Sequence, residues 1–242
     1  MYVDSMNADE IKAEYVRDLT DATSFLEHKI RSDFRRTLLK AKTFPVGKLY
    51  DWKSPRKNKY IVKVLARNKN GIKKGRIDTE VSLYAILPDG SIIDANDRVN
   101  GQMGMKNGKI CPCHIKIIIP HALARYKERL GLLPRYNDIY HQLAHRLYSS
   151  NGYISAVEPG MFQTSHGQDA EVLMIWGDGL FFGTTDMGDK IILKTYLPFD
   201  ANFTEKQKRY LNDMSEFHLR YDDYYKRLNS EVSKEIRKRA IR

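Results

Sequence analysis

The run IKIIIPHALARYKERLGL, residues 115–132, limits the folds open to this chain more than any other stretch. Its first part is β-branched and apolar, as a buried strand is. Pro120 then stands at the first helical position, where the missing N–H costs nothing. Leu123, Tyr126, Leu130 and Leu133 follow at steps of three, four and three. They form an apolar stripe for a core. A strand that passes straight into an amphipathic helix calls for helices laid against a sheet. His121, Arg125 and Arg129 step by four on a different face of the same helix,. His121 falls in the first turn, where unsatisfied N–H groups attract anions.

The flanking patterns fill in an α+β chain. Ile11, Tyr15, Leu19, Ala22, Leu26, Ile30 and Phe34 keep helical spacing, and Pro45 and Gly47 close that helix,. KYIVKVLAR and RIDTEVSLYAIL alternate as strands around the turn NKNG, and a short strand lies near Ile92,. NDRVNGQMGMKNGK is Gly/Asn-rich and reads as a long loop, followed by the strand ICPCHIKIII,. A second helix is expected over residues 135–149. YISAVE, AEVLMIW, GLFFGTT and KIILKTYL then make a meander with GDG and DMGD turns,. Thr204 and Gln207 are placed for a capping box at the start of a last helix,. Its Tyr210, Met214, Phe217, Tyr221, Tyr224 and Leu228 alternate steps of four and three, which suits packing on the body or on a second copy,. The expected architecture is α+β: an antiparallel meander packed with a helix pair, flanked by long N- and C-terminal helices. Its parts are a helical segment (1–46), a basic β-rich region (47–109), an α+β core (110–200) and an amphipathic helix (201–242), read together as one compact unit.

Charge narrows the partners. The chain carries a net +11. Residues 47–76 hold eleven Lys/Arg against Asp51 alone, and the last nine residues hold five against Glu235. Lys53, Arg56, Lys57, Lys59, Lys73, Lys74 and Arg76 are the candidate contacts to RNA or another polyanion. A solvated basic face is the alternative. No apolar run is long enough to span a bilayer, and no secretory leader is visible at the first residues,. The two cysteines, Cys111 and Cys113, are too few for a disulfide scaffold, so a reducing cytoplasm is the default expectation,.

Other constellations are weaker. CPCHIK places Cys111, Cys113 and His114 within four residues, but no second ligand cluster accompanies them, and buried thiols explain them better than a metal does,. His141 and His145 stand at i, i+4 without the intervening Glu of a metalloprotease, and read as surface residues,. Phosphate loops of the GxxxxGK[ST] kind are absent, and the Gly-rich loop does not run from strand to helix,. No cofactor or metal is expected.

The strand leading into HALARYKERLG, the helix after it, and a meander ending in GTTDMGDKIILKTYL together resemble the barnase/endoribonuclease-U/colicin-type ribonuclease superfamily, over residues 110–198. The resemblance implies a toxin-like, metal-independent endoribonuclease with a helix pair on an antiparallel sheet. His121, Arg125 and Arg129 would match its helix motif, and Lys194 and Thr195 its late-strand motif. His121 would serve as base or acid in attack by the 2′-oxygen, with Arg125 and Lys194 stabilising the charged transition state. His166, in the loop QTSHGQD, is either a second acid/base or a turn residue. On a regular strand Lys194 and Tyr196 share one face and Thr195 takes the other, so only one of Lys194 and Thr195 can meet the site. An inhibitor or antitoxin protein would be a natural partner, with self-association through the C-terminal helix. The chain departs from the pattern in its long helix after the late strand and its added residues before the motif. Both leave room for a degenerate homologue, or for a non-enzymatic nucleic-acid-binding or scaffold protein of a mobile element or phage.

Overall fold

The computed structural model describes residues 1–3, 5–66, 68, 80–95, 105–106, 109–110, 115–134, 136, 138–149, 153–164, 167–176, 179–186 and 190–216. The chain divides into two compact units, Met1–Phe199 and Asp200–Arg242.

Helix α1 (Ala8–Lys29) opens on a reciprocal cap. The Asn7 side chain accepts from the Glu10 N–H at 3.0 Å, and Glu10 accepts from the Asn7 N–H at 2.8 Å,. The helix runs through a π-turn (Ile30–Phe34) into α2 (Arg35–Lys40). The apolar residues explain the wide turn. Ala22, Leu26, Ile30, Phe34 and Leu38 recur every four positions and all belong to or pack on one core. Each four-residue step overshoots an α-helical turn by about 40°, so the stripe would wind off the sheet over four steps. A turn closed by an i→i+5 bond, here Arg35 N–H to the Ile30 carbonyl, absorbs the drift,.

Nine strands form one sheet in the order β1-β2-β3-β4-β7-β11-β10-β9-β8. They are β1 (Val46–Lys53), β2 (Lys59–Ala66), β3 (Glu80–Ile86), β4 (Ile92–Asp94), β7 (Ile115–Ile118), β8 (Tyr153–Ala156), β9 (Val172–Trp176), β10 (Gly179–Asp186) and β11 (Lys190–Pro198). Two short strands, β5 (Met105–Lys106) and β6 (Lys109–Ile110), pair separately. The sheet is mostly antiparallel, as expected. Its one departure is the parallel pair β7–β11, in register from Ile115↔Lys190 to Ile118↔Leu193. Helices α3 (Pro120–Leu130) and α4 (Ile139–Ser149), with the hairpins after them, make the crossover between these strands,.

Period-two alternation sends the sheet residues into two cores. Tyr60, Val62, Val64, Ile115 and Ile117 pack with Ile11, Tyr15, Phe34 and Leu38 of the α1–α2 segment. Ile61, Ile118, Leu193 and Tyr196 pack on the opposite face with Ala122, Leu123 and Tyr126 of α3 and Leu143 and Ala144 of α4. The expected stripe of α3 is therefore its buried side. Helix α4 starts four residues later than expected, because Gly131 (φ 67°) turns the chain and Asp138 accepts from the His141 N–H at 2.9 Å. In the second unit, residues 205–216 are helical behind the expected capping box: Gln207 N–H to Thr204 Oγ1 at 3.3 Å and Thr204 N–H to Gln207 Oε1 at 3.0 Å. Phe217, Tyr221, Tyr224 and Leu228 lie outside the described residues. Among the described residues, no helix is long and apolar enough to cross a membrane.

Candidate nucleic-acid interface

The expected catalytic residues divide between two faces of the sheet. His121 sits half-buried at the second position of α3. One turn on, Arg125 pairs with Glu128 at 2.8 Å on the exposed side. Arg129 donates to the Tyr196 carbonyl, so this guanidinium ties the end of α3 to β11. In the α3 row, Arg125 and Arg129 are thus each engaged with a protein partner.

Lys194 does not join that row. Phe182 pairs with Thr195 but Gly183 pairs with Leu193, which leaves Lys194 as the extra residue of a β-bulge,. Leu193 and Tyr196, three positions apart, consequently both face α3. The expected sharing of a face by Lys194 and Tyr196 is corrected by this inserted residue. Lys194 Nζ instead donates to Gln168 Oε1 at 3.1 Å. Gln168 belongs to the segment before β9 whose Phe162 ring lies 4.7 Å from Phe182. Phe181, the neighbour of Phe182, points into the α3 core, so this segment covers the other face. Beside it, Glu171 accepts from the Thr185 N–H at 2.7 Å and the Thr185 hydroxyl at 2.9 Å. These bonds, with Lys194 nearby, hold its carboxyl below the usual carboxylate range despite some burial,. Thr195 is buried. His166 lies outside the described residues, as do Lys73, Lys74, Arg76, Cys111, Cys113 and His114.

The β1–β2 hairpin holds the remaining expected contacts. Lys53 pairs across the ladder with Lys59, and Lys57 occupies the turn with φ 66°. All three are exposed, and their side chains make no hydrogen bond or ion pair among the described residues. Arg56 differs: its guanidinium binds Asp18 at 3.1 Å and also Asp21, both on α1. It fastens the hairpin to the helix and has little left for a ligand.

A second basic block escaped the sequence reading, which followed only the apolar stripe of the N-terminal helix. Arg31, Arg35, Arg36 and Lys40 are exposed along the π-turn and α2. Lys48 pairs with Asp33 at 2.5 Å, and this pairing above all keeps Asp33 below the usual carboxylate range. Lys29 lies over the Phe25 and Tyr50 rings at 5.7 and 5.8 Å. The signal was present as a charge count: residues 28–59 hold eleven Lys/Arg against Asp33 and Asp51. Of those eleven, Lys48 and Arg56 alone pair with a carboxylate among the described residues.

His141 is not the surface residue expected. Its side chain is 12% exposed, with Nε2 3.0 Å from Asp51 and Nδ1 2.9 Å from Asp138. It clasps α4 to β1, and Lys63 adds a bond from β2 to the His145 carbonyl at 2.6 Å. Among the described residues no cluster of three His, Cys, Asp or Glu could hold a metal ion. No family model, curated protein or solved structure matches the chain.

Proposed function

We propose that this chain is a nucleic-acid-binding protein that recognises phosphate charge, with RNA the first ligand to test. One observation carries the reading: between residues 28 and 59 nine of the eleven Lys/Arg side chains have no carboxylate partner among the described residues. An ordinary solvated face interleaves both signs, whereas a surface for polyanions leaves cations uncompensated. Counterion release from the bound polyphosphate then supplies the driving force.

The ribonuclease reading narrows beside it. Transesterification needs an acid/base and a charge stabiliser around one phosphate. With Lys194 turned to Gln168, that proposal rests on His121 and Arg125 of α3. A degenerate homologue that holds RNA without cutting it fits this arrangement better than an active enzyme.

The test is one titration and one incubation. Affinity for a labelled RNA should fall by about tenfold or more between 50 and 200 mM salt, the behaviour of a few phosphate contacts. The RNA should emerge uncut, with and without chelator. Absence of binding at low salt would remove the proposal. Chelator-resistant cleavage to 2′,3′-cyclic ends, abolished by His121→Ala, would restore the catalytic reading.

A further inference from the structure

We infer that the exposed strip Arg31, Arg35, Arg36 and Lys40 is the principal docking track, and that it takes the backbone of a double-stranded nucleic acid without regard to sequence. This deepens the binding reading above and rests on it.

The strip and the hairpin lysines are separate surfaces. On β1, Lys48 meets Asp33 beneath the α1–α2 segment, so even-numbered residues face that segment. Asp51 meets His141 of α4, so odd-numbered residues, Lys53 included, face the other way,. Lys59, opposite Lys53 in the ladder, shares its face. One rigid duplex backbone therefore has two distinct surfaces to choose between, and the helical one is the denser.

The helical strip is arranged for a linear anion. Arg31 and Arg35, and Arg36 and Lys40, are each one four-residue step apart. A helical turn rises about 5.4 Å, so the two pairs form two rows, about 100° apart around the axis, that together run about 14 Å along it. The π-turn permits this, because it keeps Ile30, Phe34 and Leu38 on the core while the cations between them stay outside. Among the described residues none of the four forms an ion pair with a carboxylate, and Arg36 Nε donates to the Ser32 carbonyl at 3.0 Å.

What the strip lacks selects the ligand. Single strands are held largely by stacking on exposed aromatic rings. The large apolar side chain exposed on this segment is Leu39, at 59%, and the neighbouring Phe25, Phe34 and Tyr50 rings are turned into the core or toward it. Without a stacking platform, binding follows charge density, and a duplex offers a phosphate every ~1.7 Å of its axis. Long flexible cations on a convex helix read no base edges, so affinity should not depend on sequence.

The test uses the full chain and the charge-removing variant R31Q/R35Q/R36Q/K40Q, beside K53Q/K57Q/K59Q. Probes are a mixed-sequence RNA duplex, its DNA counterpart, one strand of the RNA alone, and phosphatidylserine vesicles. Wild type should bind both duplexes more tightly than the single strand. The strip variant should lose about tenfold or more in duplex affinity and flatten the slope of log affinity against log salt by about three to four. The hairpin variant should change either quantity less, and both variants should keep the wild-type circular dichroism spectrum. If wild type binds duplex but the strip variant keeps its slope, the track is wrong while the binding proposal survives. Tighter binding to the single strand overturns the duplex assignment, and vesicle binding with no nucleic-acid binding overturns both.

Discussion

Asp18→Ala should destabilise the fold by about 3–5 kcal/mol, the largest loss expected of any single side chain in the first unit. Asp18 is fully buried on α1. Its carboxylate accepts from Arg56 at 3.1 Å, from the Tyr60 hydroxyl at 2.6 Å and from the Asn58 amide. The same amide also reaches Glu14 at 2.9 Å, and the Asn58 N–H closes on Ser54 Oγ at 3.2 Å in the hairpin turn. Removing Asp18 therefore leaves three donors facing a cavity, one of them a guanidinium. Burial above all, with the adjoining Tyr2 and Asp18, pushes the Tyr60 hydroxyl far above its ordinary range, so it stays a donor at any working pH,. Tyr60→Phe deletes that one donor and should cost about 1 kcal/mol. Urea unfolding of both variants separates the cases. If Asp18→Ala loses no more than Tyr60→Phe, the cluster is not a connected network. The functional corollary divides the basic residues: Arg56→Ala should lower stability and leave the salt slope of RNA binding nearly unchanged, because its charge is already matched by Asp18 and Asp21.

Features set by neighbours in the chain were legible from the sequence; features set by distant pairing were not. The start of α3 at Pro120 and the Thr204/Gln207 box depend on a few consecutive residues, and both stand where expected. Strand β1 was missed because VGKLYDWK, on the edge of the sheet, buries only Tyr50 fully and partly covers Trp52 under Phe25. Its alternation is therefore faint. The parallel β7–β11 pair joins residues some seventy-five positions apart, and nothing in either strand's composition announces its partner. His141 looked like a surface residue because Asp51, ninety positions earlier, is invisible to helix periodicity. The same limit dispersed the candidate catalytic set. His121, Arg125 and Arg129 follow from helical spacing alone and stay together, whereas Lys194 was assigned a face by counting in twos, and one inserted residue upset the count.

That inserted residue leads to the second large effect. Gly183→Ala should destabilise the protein by about 3 kcal/mol or prevent folding. Gly183 lies in β10, between β9 and β11, opposite the bulge. A Cβ built there would come within 2.7 Å of the Ile192 carbonyl carbon and 2.9 Å of Leu193 Cα, and would strike the Ile192 oxygen. These are backbone atoms of a paired strand, so no side-chain rotation relieves the clash. Gly160 is the control: it has φ 73° but open space around it, so Gly160→Ala should cost only the left-handed strain, about 1 kcal/mol,. The bulge itself can be tested by length. Lys194→Ala removes one exposed bond to Gln168 and should be nearly silent,. Deleting Lys194 restores strict alternation with Leu193 and Tyr196 two positions apart, so both keep the α3 face and Tyr196 stays in the ring cluster it makes with Tyr126 (5.0 Å) and Phe181 (4.9 Å),. The deletion should therefore be tolerated, with a loss in thermal unfolding of the same order as that of the substitution. A loss several times that of the substitution would mean that the faces of Leu193 and Tyr196 depend on the inserted residue itself and not on their pairing with Gly183 and Phe181.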